Sequence, residues 1–294
     1  MRMLVVGGTG MLGAPVARGL AADGHSVRVL SRHPATAHVG AGIQVVRGDV
    51  DDPESIRRAV EGAEGIHVSL DGKGDWDLER RGAETVAKAA AAAGVSRITL
   101  ISGASVCEEN AWFPMTAAKL AAERAVQASG VPYTILRCTM FMETLRNMVR
   151  EGKAMLLGDQ PQRWHFLAAD DFARMVSRAY ASPEAANRVL VAFGPEALTL
   201  EEALRVYVDR CAPGTPVMKI PFFILGLMSW LPGRAELRRV ALPLMKYFAK
   251  VPEQGSPVEA DRLLGKNEIT LERWCAAQLE PPSPTPEEAA PSPP

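Results

Sequence analysis

The apolar run MLVV, Met3 to Val6, leads directly into GGTGMLG and then into a helical pattern running from Met11 to Ala22. Few local sequences restrict a fold so strongly. Gly7, Gly10 and Gly13 are spaced so that the chain can turn sharply after a strand, approach an anionic group closely, and pack the next helix on the sheet. The start of that helix then offers unpaired backbone N–H groups to phosphates. A glycine pattern alone is weak, but here it occupies the first strand–helix unit, which is the context the motif requires.

The same alternation continues. Candidate strands are Met3–Val6, Ser26–Leu30, Ile43–Arg47, Gly65–Leu70, Arg97–Ile101 and Tyr133–Leu136, with helical patterns at Met11–Ala22, Pro53–Glu61, Leu78–Ala93 and Phe113–Ser129 between them. Gly24, Gly62, Gly94 and Gly130 fall where the helices should end. Strands apolar throughout and separated by helices imply a parallel sheet covered on both faces. The expected fold class is therefore α/β, a doubly wound parallel sheet of Rossmann type over residues 1–140. A smaller, mostly helical and less regular substrate region is expected over residues 141–280. There Asp170 or Asp171 is the expected cap of a helix in WHFLAADDFARMVSRAYASP, RVLVAF reads as a strand, and Thr199 as the cap of LTLEEALRVYVDRC. Residues 281–294 are half proline and are expected to be disordered.

Composition narrows the function classes. The chain is 47% hydrophobic and 23% charged, with a net charge of -1, so nothing favours nucleic acid or an anionic surface. Cys107, Cys138, Cys211 and Cys275 are far apart and form no CxxC pair, so reduced thiols and no metal are expected. The longest apolar stretch outside the strands, Ile220 to Pro232, is too short to span a bilayer. No room precedes Met3 for a secretory leader, and a cytoplasmic protein is expected.

The glycine loop implies a dinucleotide. Its contacts are expected from Gly7, Thr9, Gly10, Met11, Leu12 and Gly13, and from Ser69 and Leu70 at the end of the fourth strand. The second strand ends in VRVLSRHP, without the acid that would bind the 2′-hydroxyl of NAD; Arg32 stands there, suited to a 2′-phosphate, so NADP(H) is favoured over NAD(H). Asp49 and Val50 follow the third strand on the ligand edge, facing the adenine; Asp51 or Asp52 is left to cap the next helix.

Taken together, GGTGMLG, LSRHP, GDV, RITLIS and KLAAERAVQASGVPYTILR resemble the atypical short-chain dehydrogenase/reductases, specifically the NmrA-like NAD(P)H-binding group. The resemblance covers about residues 1–140 well and the remainder loosely, through VEADRLLGKNEITLERW. By this resemblance Lys119 matches the lysine of the superfamily's Tyr-x-x-x-Lys motif, while Met115 stands in place of the tyrosine. A thioether has no proton to give. NmrA-like reductases tend to lack this tyrosine, so the departure fits the group. The serine usual after the fifth strand is not clearly kept; Ser102 and Ser105 flank its place, and Ser102 is taken as a cofactor contact. Lys119 is the expected catalytic or cofactor residue, with Glu123 as its helical partner if it is merely a surface lysine.

The expected activity is NADPH-dependent reduction of a small apolar carbonyl or quinone, by a monomer or homodimer. The alternatives are a non-catalytic NADP(H)-binding sensor and, third, a sugar-nucleotide epimerase or dehydratase. His165 reads as a packed histidine. Met140, Phe141 and Met142 read equally as substrate wall or core. The apolar segment from Ile220 to Lys250 is expected to pack on the main domain, the alternatives being a substrate lid, a dimer face or a membrane-surface helix.

Overall fold

The structure, a computed structural model, describes residues 1–72 and 74–279; the expected disordered tail at 281–294 lies outside the described residues. The first half contains β1 (Arg2–Val6), α1 (Gly13–Ala22), β2 (Ser26–Ser31), β3 (Gln44–Arg47), α2 (Pro53–Val60), β4 (Gly65–Val68), α3 (Leu78–Ala92), β5 (Arg97–Gly103), α4 (Pro114–Ala128) and β6 (Tyr133–Cys138). The second half contains β7 (Val149–Arg150), β8 (Lys153–Leu157), β9 (Arg163–His165), α5 (Ala169–Ala181), β10 (Arg188–Ala192), β11 (Ala197–Thr199), α6 (Leu200–Cys211), β12 (Val217–Ile220), α7 (Phe222–Met228), α8 (Leu242–Lys250), α9 (Val258–Leu264) and α10 (Leu271–Leu279).

The central sheet has seven strands in the order β10-β6-β5-β4-β1-β2-β3, and every pairing is parallel. The doubly wound Rossmann-type fold expected from the alternation is present. Successive side chains of a strand point to opposite faces, and β1 shows the consequence. Met3 and Val5 join a core beneath α1 and α5 that includes Val16, Leu20, Phe172 and Val176. Leu4 and Val6 join the opposite core, with Ile56, Val86, Val126 and Ile135. Both faces are covered, so a run apolar throughout is required. The seventh strand, β10, and the helix α5 come from beyond residue 140, where the sequence places the end of the dinucleotide-binding core.

The strand order reverses at β1, with β4 on one side and β2 on the other. In such sheets the carboxyl ends of strands flanking the reversal form the ligand crevice.

The second half departs from expectation in specific ways. Asp171 does not cap α5, whose N-cap is Ala168 with no side-chain hydrogen bond. Its carboxylate instead accepts from Arg174 at 3.0 Å and from the backbone N–H groups of Glu268 and Ile269 at 3.1 and 3.0 Å, fastening the last segment to α5. Thr199 does cap α6, in a reciprocal box with Glu202. Phe141 and Met142 belong to the core and are 7% and 1% exposed, which removes the substrate-wall reading for both. The apolar segment packs through Leu225, Leu242 and Tyr247, yet leaves Phe223, Leu227 and Trp230 more than two-thirds exposed. Among the described residues no helix is long and apolar enough to cross a membrane.

Candidate functional site

The glycine loop is shaped by backbone contact. Gly7 has φ +82°, a left-handed conformation that favours glycine. A Cβ there would stand 1.9 Å from the Ser69 carbonyl oxygen, because β1 and β4 emerge side by side at this point. A Cβ on Gly13 would stand 2.3 Å from the Gly7 carbonyl oxygen, so the start of α1 is pressed onto the turn. Gly10 is different: its amide donates to the Gly7 carbonyl at 3.0 Å, but a Cβ there would be 3.2 Å from the nearest atom and the residue is exposed. Gly8 is a close-packing position that the spacing argument passed over, since a Cβ would meet both γ-carbons of Val29 at 2.8 Å.

Thr9, Gly10 and Met11 are exposed at the mouth of this turn. The N-cap of α1 is Leu12, which makes no side-chain capping bond, and the first turn holds no acid. Of its first amides, that of Ala14 donates to the Gly10 carbonyl at 3.0 Å and Pro15 has none, which leaves the Gly13 amide without a backbone acceptor among the described residues and facing the turn. A tight cradle closed to a Cβ and an uncapped helix start together fit a pyrophosphate. These residues fit a nicotinamide dinucleotide.

Arg32 follows β2 directly and is exposed; among the described residues its side chain makes no ion pair or hydrogen bond. Ser31 turns its hydroxyl to the His33 amide at 3.1 Å. Asp49 accepts from the Asp51 amide at 3.1 Å through one oxygen. Asp52 caps α2, and Asp51 pairs with Arg81 at 3.0 Å, so the division of labour among these acids follows expectation in part. Val50 and Leu70 close over Gly82 of α3, where a Cβ would come within 3.3 and 2.3 Å of their side chains.

Lys119 is not paired with Glu123. Its ammonium meets the Glu79 carboxylate at 2.5 Å, with both side chains about one-sixth exposed, where α3 and α4 approach the ends of β4 and β5. Glu123 is buried and takes Arg137 through both oxygens, at 2.9 and 2.7 Å, together with the Ser102 hydroxyl at 2.5 Å. The reason is register. Strand β5 runs two residues beyond its expected end, so Ser102 pairs with Arg137 of β6, and both residues reach Glu123 on α4. The Ser102 hydroxyl expected to meet the cofactor is therefore bound to the protein's own carboxylate.

Ser105, the other serine at this strand end, meets a tyrosine after all. Tyr247, on α8, donates its hydroxyl to Ser105 Oγ at 2.9 Å and accepts from Thr116 Oγ1 at 3.0 Å. Its ring stacks on Phe113 at 4.4 Å, and Met115 packs against the same cluster. No sequence motif ties LMKYFAK to the fifth strand, so spacing alone gave no signal of this contact.

Residues from four separate places meet at the carboxyl ends of β6 and β10. His165, at the end of β9, stacks on Phe193 with ring centroids 4.8 Å apart, as a packed histidine would. Its Nδ1 also bonds Glu253, which is 8% exposed, and its backbone N–H reaches the same carboxylate at 3.1 and 3.3 Å. Thr139, the first residue past β6, donates to Glu253 at 2.5 Å. His165 lines a cleft of about 290 Å³, with Phe193, Gly194, Pro195, Gly255 and Pro257 among its walls.

A doubly wound sheet with a glycine cradle at its strand-order reversal defines a Rossmann-type nucleotide-binding protein. A family model described as NAD(P)H-binding matches residues 7–183, and the chain belongs to that family. The resemblance carried by the glycine loop is thus borne out. The chain is 34% identical over 206 residues to the (4-alkanoyl-5-oxo-2,5-dihydrofuran-3-yl)methyl phosphate reductase of Streptomyces griseus, covering 68% of this chain and 70% of that one. It is 28% identical over 247 residues to the photosystem II assembly factor Ycf39 of Trieres chinensis, covering 80% and 77%. In fold it is similar to the Citrobacter sp. triphenylmethane reductase complexed with NADP(H), with a TM-score of 0.73 at 20% identity, covering 95% and 99%.

Proposed function

We propose that this chain is an NADPH-dependent reductase of a small, apolar, electron-poor carbonyl or quinone. The observation that carries the reading is the crevice at the end of β1. Gly7 and Gly13 leave no room for a Cβ, the helix start has no side-chain cap, and Arg32, with no side-chain partner among the described residues, directly follows β2. When bound, the dihydronicotinamide supplies a hydride; binding, orientation and the proton fall to the chain's own residues. In this reading the Gly7–Gly13 turn holds the pyrophosphate, Arg32 the 2′-phosphate, Asp49 the adenine side, and Lys119, steadied by Glu79, the nicotinamide ribose. The name of the Streptomyces griseus relative, a reductase of an oxo-dihydrofuranyl methyl phosphate, supports reduction of an oxo compound, while the apolar class rests on the sequence reading.

A second reading, a cofactor-binding sensor, is favoured by one feature: the lysine of the motif is neutralised by Glu79 and its neighbour Met115 has no proton to give. Turnover separates the two. NADPH oxidation should exceed the enzyme-free rate for at least one member of a panel of quinones and aldehydes. Binding of NADPH with no turnover on any of them would leave the sensor.

A further inference from the structure

We infer that His165, positioned by Glu253, is the acid that protonates the substrate oxygen, and that the cleft beside it seats a planar carbonyl or quinone ring. The inference rests on the reductase reading and identifies the substrate half of that same site.

A reduction by hydride needs a proton, and the neighbouring groups are poorly placed to give one. Met115 has none. The Lys119 ammonium is held by Glu79 at 2.5 Å. The Tyr247 hydroxyl is on a side chain 1% exposed and is engaged on both sides, by Ser105 and Thr116. The His165 side chain is 35% exposed and lines a cleft.

Its protonation pattern follows from its partner. A carboxylate only accepts, so the Nδ1 facing Glu253 carries a proton, and Nε2 is the nitrogen left for a ligand. Glu253 is itself fixed by Thr139 and by the His165 backbone N–H, so the ring is held at both its backbone and its Nδ1. Stacking on Phe193 at an interplanar angle of 3° sets the plane of the ring.

The dyad lies where a substrate must lie. Thr139 is the first residue past β6, and the amide of Gln254, next to Glu253, donates to the Ala104 carbonyl just past β5 at 2.9 Å. These are carboxyl ends of the sheet, its ligand edge. The Lys119 side chain passes Gly103, beside Ala104, with its Cδ 3.8 Å from where a Cβ on Gly103 would stand. The walls divide into glycine, proline and phenyl surface on one part and Ser256, Asp261, Lys266 and Asn267 on the other. Gly194 and Gly255 have no room for a Cβ, which would meet the Phe166 carbonyl oxygen at 1.7 Å and a Val191 methyl at 2.7 Å. Phe193, Pro195 and Pro257 provide faces for a ring, and about 290 Å³ sits at the small end of ligand pockets.

The step balances as follows. In a simple carbonyl the carbon gains a hydride from the bound dinucleotide, which is oxidised, the π bond breaks, and the oxygen takes the Nε2 proton of the imidazolium. In a quinone one oxygen gains the hydride, the ring aromatises, and the other oxygen takes that proton to complete the hydroquinone. The neutral imidazole keeps its Nδ1 proton on Glu253 and recovers the other from solvent.

The test uses the full chain. His165→Asn keeps a donor toward Glu253 but removes Nε2, and His165→Ala removes the ring. Both should cut kcat at least 100-fold on the acceptor that wild type reduces, with NADPH affinity within about twofold. Added imidazole should restore turnover to His165→Ala but not raise wild type. An independent reading comes from ring nitrogen NMR of the cofactor-free protein, in which the neutral form of His165, the form left once Nε2 has given its proton, should be the Nδ1-protonated tautomer. Hydroquinone should shift its Nε2 resonance, and Glu253→Gln should mix the tautomers while sparing NADPH binding. Undiminished turnover in folded His165→Asn, or an Nε2 resonance unmoved by saturating hydroquinone, would overturn the assignment while leaving an active wild-type reductase intact. A wild type that reduces nothing would instead remove the reductase reading and, with it, the acid.

Discussion

The crevice at the end of β1 and the cleft beside His165 are built in opposite ways. The crevice comes from seven consecutive residues, Gly7 to Gly13, plus the backbone of Ser69, and its shape is fixed by atoms that glycine lacks. The cleft is lined by His165, Phe193–Pro195 and Gly255–Pro257, with Glu253 and Thr139 holding the histidine, and these are brought together only when β9, β6, β10 and the segment after α8 converge. The first kind of site tolerates almost no side-chain addition and depends little on side-chain identity. The second depends on the identity of a few polar groups and on the whole fold being in place.

That contrast can be broken most severely at the glycines. Gly13→Val should both abolish NADPH binding and destabilise the fold, because its Cβ would overlap the Gly7 carbonyl at 2.3 Å. Gly10→Val should abolish binding with a loss of stability near 1 kcal/mol or less, since its Cβ has only a 3.2 Å neighbour and the rest points outward. Calorimetric binding with thermal melts distinguishes them. Equal melting losses would mean that the loop is one structural unit and not a cradle with a free lip.

The next effect lies in the seam between α4 and the ends of β5 and β6. Glu123 is 3% exposed in its side chain and satisfies both Arg137 and Ser102. Glu123→Ala removes the carboxylate and leaves the Arg137 charge partly buried without its partner, so unfolding in urea should show a loss of about 3 kcal/mol. A loss below 1 kcal/mol would mean that Arg137 finds solvent, and that the seam is loose.

Smaller effects separate Lys119 from Met115. Lys119→Ala should weaken NADPH about tenfold, roughly 1.4 kcal/mol, by removing a charge-assisted contact. Met115→Leu should alter stability by less than about 1.5 kcal/mol and leave kcat unchanged, because its place in the Phe113 and Tyr247 cluster depends on volume. A large kcat loss from Met115→Leu would contradict this packing role.

These differences also explain what could be read without coordinates. Strands such as MLVV were legible because burial on both faces leaves a continuous apolar run, and β4, β5 and β6 ended within two residues of expectation. The glycine turn was legible because its geometry is local. Ser102 read as a cofactor contact, and the partner its hydroxyl takes was hidden by register: the two added residues of β5, Ser102 and Gly103, pair with Arg137 and Cys138, and the Ser102 hydroxyl donates to Glu123. Glu123 looked like a helical partner of Lys119 because their spacing allows it, but it pairs with a partly buried Arg137, while Lys119 has Glu79 within reach. His165 read as a packed histidine, and its face is packed. What was invisible was Glu253, 88 residues away in sequence, on its edge. Tyr247 reaches Ser105 from 142 residues away, beyond any motif.

The claim most exposed to a single measurement is that the crevice is built for a 2′-phosphorylated dinucleotide. Isothermal titration of NADPH and NADH into wild type and Arg32→Ala tests it directly. Wild type should bind NADPH more tightly, and Arg32→Ala should lose about 1.5–3 kcal/mol for NADPH while leaving NADH nearly unchanged. Equal losses for both dinucleotides, or a wild type that prefers NADH, would contradict the account.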